Sequence, residues 1–449
     1  MSDGSGSSQK LFQRACKVLP GGVSRNTIFR LPQPFYAVAG AGCYLTDIDG
    51  VKRIDFSNNV ASLIHGHAFP PIVQAVTEQL NRGTAFGFGT RAEVEYAEYM
   101  CGRFSGFDKI RFVNSGSEAV IAAIKVSRAF TLRPKIAKVE GAYHGCYDYA
   151  EVSQAAHPGN WGPADQPAST PVCVGTPEGV MRDVVVIPFN DAERAIRILD
   201  AQAEQIACVL IDLLPHRLGF IPATVEFVQA IAQWAKRNNA LLVFDEVITL
   251  RNRFRGNQAD YPVKPDLTTM GKMVGGGFPA GAIAGRDEVM KVMDPSQKSV
   301  PVPHSGTFSA NAMTMTAGRV AMEHFDQSAV DRLNSLGDLA RQRIAESIRW
   351  ADIPACVTGG GSIFRVHLRS TPPYDYRSCY SSGDESKVLG KLVDHLFESG
   401  IMLINTCSGI LSTPMTEVEI ERLGEAMLAG FKAIKPILIE SQSKQSVGV

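Results

Sequence analysis

Several features that would narrow the class of this 449-residue protein are missing from its sequence. The 45 basic and 45 acidic residues leave a formal net charge of +0, so the basic excess typical of nucleic-acid and anionic-membrane binders is absent. The nine cysteines form no CxxC pair, and an odd number without a framework is typical of a reducing cytoplasm. No apolar run is long enough to span a bilayer. We predict a cytoplasmic protein without nucleic-acid or membrane partners.

The pattern of elements predicts an α/β protein with two or three domains. Residues 1–8 have no apolar signal region and predict a flexible tail, followed by an amphipathic helix at residues 9–18. Residues 36–57 alternate in strand fashion around an Asp-Gly turn. The middle of the chain alternates predicted strands (110–113, 136–139, 208–211, 240–244) with predicted helices (92–104, 117–129, 192–206, 225–238, 313–325).

Strands separated by helices indicate crossover connections and a mostly parallel central sheet with flanking helices. The remainder, with a predicted strand at residues 362–368, indicates a smaller α+β domain. We therefore predict an N-terminal segment (1–70), a large α/β domain (71–325) and a small C-terminal α+β domain (326–449).

A candidate anion site follows the first strand of the large domain. Ser115, Gly116 and Ser117 come directly after residues 110–113 and open a helix. Backbone N–H groups at a helix start, with two hydroxyls and the helix dipole, can hold a phosphate. The same segment is also an ordinary helix cap. It lacks the Gly-Lys-Ser/Thr ending of a P-loop and the GxGxxG spacing of a dinucleotide fold, which disfavours both nucleotide-binding classes.

Candidate contacts for a flat ring follow the next strands. Tyr143 and His144 come after residues 136–139, and a tyrosine at a strand end can stack on a planar group. Val247 could pack the opposite face. The alternative is that Tyr143 and Val247 are core residues and His144 is a cap.

Asp245 and Lys272 point to the chemistry. Asp245 ends the apolar run at residues 240–244, and Lys272 lies in a small-residue loop one connection later. A carboxylate can keep a pyridine nitrogen protonated, and a lysine can form an imine, which together are the minimum equipment for pyridoxal 5'-phosphate (PLP). Alone, Asp245 could be a cap or ion-pair partner and Lys272 a solvated loop residue. Four suitable elements at successive strand ends favour a PLP enzyme.

With these motifs the sequence resembles the class III aminotransferases of PLP fold type I, close to the glutamate-1-semialdehyde aminomutases. The resemblance covers nearly the whole chain. The segments that carry it are residues 19–23, 47–50, 65–67, 112–119, 143–145, 244–247, 271–277 and 305–308.

The resemblance assigns roles to these residues. It implies that Lys272 is the Schiff-base lysine and that Asp245 pairs with the ring nitrogen. It places the remaining cofactor contacts at Ser115, Gly116, Ser117, Tyr143, His144 and Val247. In this family the threonine of the Gly-Thr-Phe segment reaches the phosphate of the neighbouring subunit. Thr307 therefore implies a homodimer with shared active sites.

Departures from the aminomutase pattern bear on the substrate. They fall at residues 212–217, 248–252 and 403–412 and disfavour a housekeeping aminomutase, and residues 245–313 look more similar to β-amino-acid aminotransferases of the same subgroup. Arg25 matches an arginine that binds a substrate carboxylate there, although a surface ion pair is an equal alternative. Arg217 is a second carboxylate candidate, and Arg251 has no assigned role.

These observations predict a transaminase that moves an amino group between an amino acid, with a β-amino acid favoured, and an oxo acid. The two half-reactions share one site, in a ping-pong sequence through Lys272. An intramolecular aminomutase or racemase is the enzymatic alternative, and an inactive scaffold homologue is the non-enzymatic one. No metal is expected.

Overall fold

The computed structural model describes residues 8–447, with side chains described through residue 440, so the tail predicted for residues 1–8 lies almost entirely outside the described residues. The strands are β1 (Ala37–Ala41), β2 (Tyr44–Asp47), β3 (Lys52–Asp55), β4 (Lys109–Val113), β5 (Lys135–Val139), β6 (Val184–Ile187), β7 (Ile206–Asp212), β8 (Leu241–Asp245), β9 (Leu267–Gly271), β10 (Gly281–Gly285), β11 (Cys356–Gly360), β12 (Ile363–His367), β13 (Ile401–Met402) and β14 (Ser408–Ile410). The helices are α1 (Ser8–Ala15), α2 (Asn58–Ala61), α3 (Pro70–Leu80), α4 (Arg91–Arg103), α5 (Gly116–Thr131), α6 (Asp148–Glu151), α7 (Glu178–Arg182), α8 (Ala192–Asp200), α9 (Val225–Arg237), α10 (Asp287–Met290), α11 (Ala312–His324), α12 (Gln327–Ala351), α13 (Tyr376–Cys379), α14 (Gly383–Glu398) and α15 (Glu417–Val447).

The largest sheet has seven strands in the order β4-β10-β9-β8-β7-β5-β6. Neighbours from β9 to β6 are parallel, whereas β10 runs antiparallel to both β4 and β9. Its central strands β7 and β8 are buried along their whole length, which explains their near-continuous apolar sequences. The carboxyl ends of β4, β5, β7, β8 and β9 therefore share one edge. The predicted mostly parallel sheet with flanking helices is confirmed.

The two ends of the chain share a second sheet. Strands β1, β2 and β3 are antiparallel, and β13 from the C-terminal part joins β3 in parallel, with Ile401 opposite Ile54. A third sheet, β11-β12-β14, lies with the long helices α12 and α15 in the C-terminal part. The smaller α+β unit thus combines N- and C-terminal segments. The division at residues 70 and 325 stays a prediction.

Two predicted helices end earlier than expected. The helix predicted at residues 192–206 is α8, which ends at Asp200, and β7 already begins at Ile206. Ile206 is fully buried in the sheet, so the chain must leave the helix and turn before that residue. The helix predicted at residues 9–18 is α1, which ends at Ala15. The Pro-Gly-Gly stop signal then forms a short turn with left-handed glycines.

A left-handed turn follows β3. Residues 58–61, none of them glycine, have φ between 47° and 72°. Left-handed backbone costs about 1–2 kcal/mol per non-glycine residue, so surrounding contacts must impose it. Asp55 Oδ1 accepts hydrogen bonds from the backbone N–H groups of Ser57 and Asn58, both at 2.8 Å. Asn58 Nδ2 donates to the Ile410 carbonyl at 2.7 Å. The turn is therefore tied to β3 and β14.

Two features are absent from the residues that the structure describes. Between residues 8 and 447, no helix has the length and apolar character needed to cross a membrane. Over the same residues, no cluster of three or more histidine, cysteine, aspartate or glutamate side chains could hold a metal ion.

Candidate active site

A cleft lies at the carboxyl edge of the large sheet, with an empty volume of about 520 Å³ including the part open to solvent. Its lining residues are Ser115, Gly116, Ser117, Val120, Tyr143, His144, Gly145, Asp212, Asp245, Val247, Ile248 and Lys272. Eight of them were predicted from the sequence as cofactor contacts. The connections after β4, β5, β7, β8 and β9 bring them together, as expected for a parallel sheet.

One end of the cleft is the N-terminus of α5. Ser115 caps the helix, with its Oγ accepting from the Glu118 N–H at 3.1 Å. Ser117 Oγ accepts from the Cys146 N–H at 3.1 Å, which ties the helix start to the Tyr143 loop. The first N–H groups of a helix have no partner within it and form an anion site. The helix-cap alternative and the phosphate role are therefore compatible, because Ser115 caps α5 without using all of these donors.

Three glycines lie at this end of the cleft, where the neighbouring atoms leave no room for a Cβ. A Cβ on Gly116 would lie 2.9 Å from Val247 Cγ1, and a Cβ on Gly145 would lie 2.4 Å from Ser117 Oγ. From behind, a Cβ on Gly281 of β10 would lie 2.0 Å from the Ser115 carbonyl oxygen. Side chains at these positions would fill or distort the anion end. The anion end of the cleft thus fits a phosphate joined to a flat ring.

Asp245 and His144 form a buried pair at the centre of the cleft. His144 Nδ1 lies 2.8 Å from Asp245 Oδ2, and the Val247 N–H donates to Asp245 Oδ1 at 3.0 Å. Burial lowers the pKa of His144, although the hydrogen bond and charge of Asp245 oppose this, and the shift favours the neutral imidazole. A neutral ring that donates from Nδ1 stabilises the Asp245 carboxylate. The pair can present a negative charge to a ring nitrogen.

A second carboxyl group, Asp212, was missed as a site residue by sequence reasoning. It ends β7 directly opposite Asp245 in the strand register and lines the cleft. Burial, followed by the charge of Asp245, raises the pKa of Asp212 well above its ordinary value, which favours its neutral form. Its position at a strand end was the signal that could have identified it.

Lys272 directly follows the end of β9 and lines the cleft. Its backbone is left-handed, with φ 54°, in a residue type that rarely adopts this conformation. Burial lowers the pKa of its ammonium group, while the carboxylates of Asp245 and Asp212 oppose that shift. A lowered pKa gives a larger share of neutral amine, which is the nucleophilic form. The strained backbone is consistent with a functional position.

A buried lysine beneath the Tyr143 loop was also not predicted. Lys138 of β5 is fully buried and donates from Nζ to the carbonyls of Ala142, at 3.0 Å, and Val152, at 2.7 Å. These carbonyls flank the segment that carries Tyr143 and His144. Burial lowers the pKa of Lys138 to about 7. Its two hydrogen bonds fix the loop against the sheet.

Arg217 lies at the rim of the cleft. Its guanidinium carbon is 5.8 Å from the centroid of the Tyr143 ring, and Nη1 donates to the Gln154 carbonyl at 3.2 Å. The side chain of Arg217 is exposed to solvent. Tyr143 is more buried, and its burial raises the pKa of its hydroxyl to about 12. The structure therefore places Arg217 next to a predicted ring contact, with most of its donors free for an anion.

Two predicted residues, Arg25 and Thr307, do not line the cleft of their own chain. Arg25 is exposed, and its Nη1 donates to Asn59 Oδ1 at 2.7 Å, so its described partner is an amide rather than a carboxylate. Thr307 is exposed in a loop whose Gly306 would place a Cβ 3.7 Å from Asn114 Nδ2, beside the anion end.

Arg251 has a structural place outside the cleft. It is fully buried, and it donates from Nε to Ser362 Oγ at 3.0 Å and from Nη2 to the Leu411 carbonyl. Burial lowers the pKa of Arg251 to about 9. The residue joins the segment after β8 to the C-terminal part.

The sheet topology and the cleft define an enzyme of PLP fold type I, and comparison with known proteins narrows that class. Residues 30–433 match the family model described as aminotransferase class-III. The chain is 36% identical over 397 residues to a glutamate-1-semialdehyde 2,1-aminomutase of Methanothermobacter thermautotrophicus, covering 88% of this chain and 91% of the relative.

Solved structures agree with this family. The fold is similar to an omega-transaminase from Sphaerobacter thermophilus, with 43% identity, a TM-score of 0.94 and coverage of 96% and 98% of the two chains. A transaminase with PLP bound gives 38% identity, a TM-score of 0.88 and the same coverage. A β-phenylalanine aminotransferase from Variovorax paradoxus gives 31% identity, a TM-score of 0.84, and coverage of 94% of this chain and 93% of the other. This chain belongs to the class III aminotransferase family. It is a PLP-dependent enzyme.

Proposed function

We propose that this protein is a transaminase that moves an amino group from a β-amino acid to an oxo acid in two half-reactions at one site. The observation that carries the proposal is the cleft that sets Lys272 with Asp245 and an open helix N-terminus at one sheet edge. The preference for a β-amino acid is supported by the 31% identity to the β-phenylalanine aminotransferase and by the departures from the aminomutase pattern.

In this proposal the chain's residues divide the work on the cofactor. Ser115, Gly116 and Ser117, which line the cleft, would hold the phosphate through hydroxyls and the N–H groups of α5, while Tyr143 and Val247 would contact the two ring faces. When bound, PLP supplies an electron sink for breaking a bond beside the substrate nitrogen.

The two central residues control charge and proton movement. Asp245, supported by His144, keeps a proton on the ring nitrogen. The amine of Lys272 would hold the cofactor covalently and, once freed by the donor amine, would act as the general base that moves a proton between carbon atoms. Its pKa, lowered chiefly by burial, suits that task.

We further propose a homodimer with shared active sites. Thr307 is exposed in its own chain and lies in a loop close to the anion end. Its hydroxyl would complete the phosphate site of the neighbouring subunit. Light scattering of the purified protein should give twice the mass of one chain, and a monomer that turns over substrate would contradict this assignment.

Arg25 and Arg217 are the proposed carboxylate contacts. Both are exposed and neither faces a carboxylate among the described residues, so each guanidinium keeps donors for a substrate acid. Arg217 sits beside Tyr143, on the ring side of the cleft. We assign Arg25 to the donor carboxylate and Arg217 to a second acid group.

An aminomutase is the second candidate, because relatives at 36% identity carry that name. Product analysis separates the two activities. Purified protein is given glutamate-1-semialdehyde alone, and separately β-phenylalanine with and without pyruvate or 2-oxoglutarate. A transaminase forms product only when the oxo acid is present. Conversion of glutamate-1-semialdehyde without an acceptor would overturn the transaminase proposal. Comparing α-, β- and ω-amino donors then tests the β-amino acid preference.

A further inference from the structure

The left-handed turn at residues 58–61 presents one side chain to Arg25. Asn59 Oδ1 accepts from Arg25 Nη1 at 2.7 Å across 34 residues of chain. Asn59 Nδ2 donates to Ser62 Oγ at 3.0 Å, and Ser62 Oγ donates to the Asn59 carbonyl at 3.0 Å. These bonds orient the amide so that its only acceptor atom meets the guanidinium.

The turn is anchored by a motif that the cofactor site does not use. Asp55 is buried and accepts at Oδ1 from the N–H groups of Ser57 and Asn58, while its Oδ2 lies 2.9 Å from His67 Nε2. The His-Gly-His segment at residues 65–67 therefore holds the carboxylate that shapes the turn. His67 thus holds Asp55, Asp55 holds the backbone of Ser57 and Asn58, and the next residue of the turn, Asn59, contacts Arg25.

The turn also lies beside the cleft. Ala61 belongs to a buried cluster with Ile248, a cleft-lining residue. Just after the turn, Leu63 Cδ2 is 3.3 Å from the position a Cβ would take on Gly277, in the loop that follows Lys272. The Arg25–Asn59 contact is thus built on an element packed against the active site.

The chemistry of the contact suits recognition rather than stability. A carboxylate partner would neutralise Arg25, whereas the Asn59 amide orients the guanidinium and leaves its charge for a ligand. We propose that Asn59 is the positioning residue for Arg25, and that it thereby strengthens the binding of the donor carboxylate. This inference rests on the proposed role of Arg25 as the donor-carboxylate contact.

A double-mutant cycle on the PLP-loaded enzyme tests the inference, with β-phenylalanine and β-alanine as donors and pyruvate as acceptor. Asn59→Gly removes the amide but tolerates the left-handed backbone. We expect Arg25→Ala to raise the donor KM by roughly 30-fold and Asn59→Gly by roughly 5-fold, with kcat within about twofold. The double variant should match Arg25→Ala alone, because Asn59 acts only through Arg25.

Asn239→Gly is the matched control. Asn239 is also left-handed, with φ 52°, but it is exposed in the connection between α9 and β8. The same substitution there should leave the donor KM unchanged.

The possible outcomes are distinct. A normal KM in Arg25→Ala would contradict the proposed function of Arg25 and remove the basis of the inference. A raised KM in Arg25→Ala with no effect of Asn59→Gly, or with effects that multiply in the double variant, would overturn the inference alone. Absence of turnover with both donors would overturn the proposed β-amino acid activity together with the inference.

Discussion

The cleft has two sides that the chain builds differently. On the cofactor side, Asp245 and His144 are buried, hydrogen-bonded to each other and held at the ends of central strands. On the proposed substrate side, Arg25 and Arg217 are exposed and lie on turns and loops. A buried, multiply bonded site keeps one geometry, whereas exposed loop residues can change with little cost to the fold. One scaffold can therefore keep its cofactor chemistry while its substrate changes.

The largest effect should follow from Lys272→Ala, which removes the residue proposed to bind PLP covalently and to carry the proton. We expect kcat to fall by about 10⁴-fold, because general acid–base and nucleophilic contributions are lost together. Steady-state kinetics and the visible spectrum of lysine-bound PLP measure this. Lys264→Ala, at an exposed lysine before β9, is the control and should behave as wild type. Unchanged absorbance in Lys272→Ala would show that another residue holds the cofactor.

The next effect separates two neighbouring carboxyl groups. Asp245→Asn removes the charge proposed to keep the ring nitrogen protonated and should lower kcat by about 10²–10³-fold. Asp212→Asn should cost less than about tenfold, because the raised pKa of Asp212 already favours its neutral form. Kinetics of both variants under one condition make the comparison. Equal losses would show that Asp212 acts as a charged group.

A smaller effect concerns the support of the cofactor side. Lys138→Met leaves the Ala142 and Val152 carbonyls without their donor and should lower the free energy of unfolding by about 2 kcal/mol.

The pH dependence of that loss has a definite sign. Burial lowers the folded-state pKa of Lys138 to about 7, below an unfolded value of about 10.4. The unfolded chain binds the extra proton between these values, so the lysine's contribution makes wild-type stability rise with pH there. Urea denaturation at pH 7 and pH 9 should show a wild-type advantage that grows with pH. A constant difference would mean that Lys138 stays charged in the fold.

The smallest effect should come from Thr307. Thr307→Ala removes the hydrogen bond proposed for it with the phosphate of the neighbouring subunit and should raise the dissociation constant of PLP by about 3–10-fold. Titration of the apo-protein measures this, with Ser305→Ala in the same loop as the control. Full affinity in Thr307→Ala would contradict the proposed shared phosphate site.

The sequence predicted which residues line the cofactor side of the cleft better than it predicted which residues hold them in place. Ser115, Tyr143 and Asp245 each follow a recognisable strand, and parallel strands bring such ends to one edge. The reversed direction of β10 could not be predicted, because it depends on pairing between strands far apart in sequence. Lys138 gave no signal, since its acceptors are backbone carbonyls of an irregular loop. The Arg25–Asn59 contact depends on a left-handed turn for which no glycine provides a cue.

Strand β10 also bears on the order in which the parts of the site form during synthesis and folding. Its Gly281 packs on the Ser115 carbonyl, and the strand pairs with β4 across some 170 residues of intervening chain. On the ribosome, α5 and its N-terminus emerge long before β10. The anion end of the cleft therefore stays incomplete while most of the sheet is being synthesised. Contacts of such long sequence separation form late in folding. PLP capture is therefore expected to be a late event that marks the large sheet as assembled, and a nascent chain halted before residue 281 would lack a finished site.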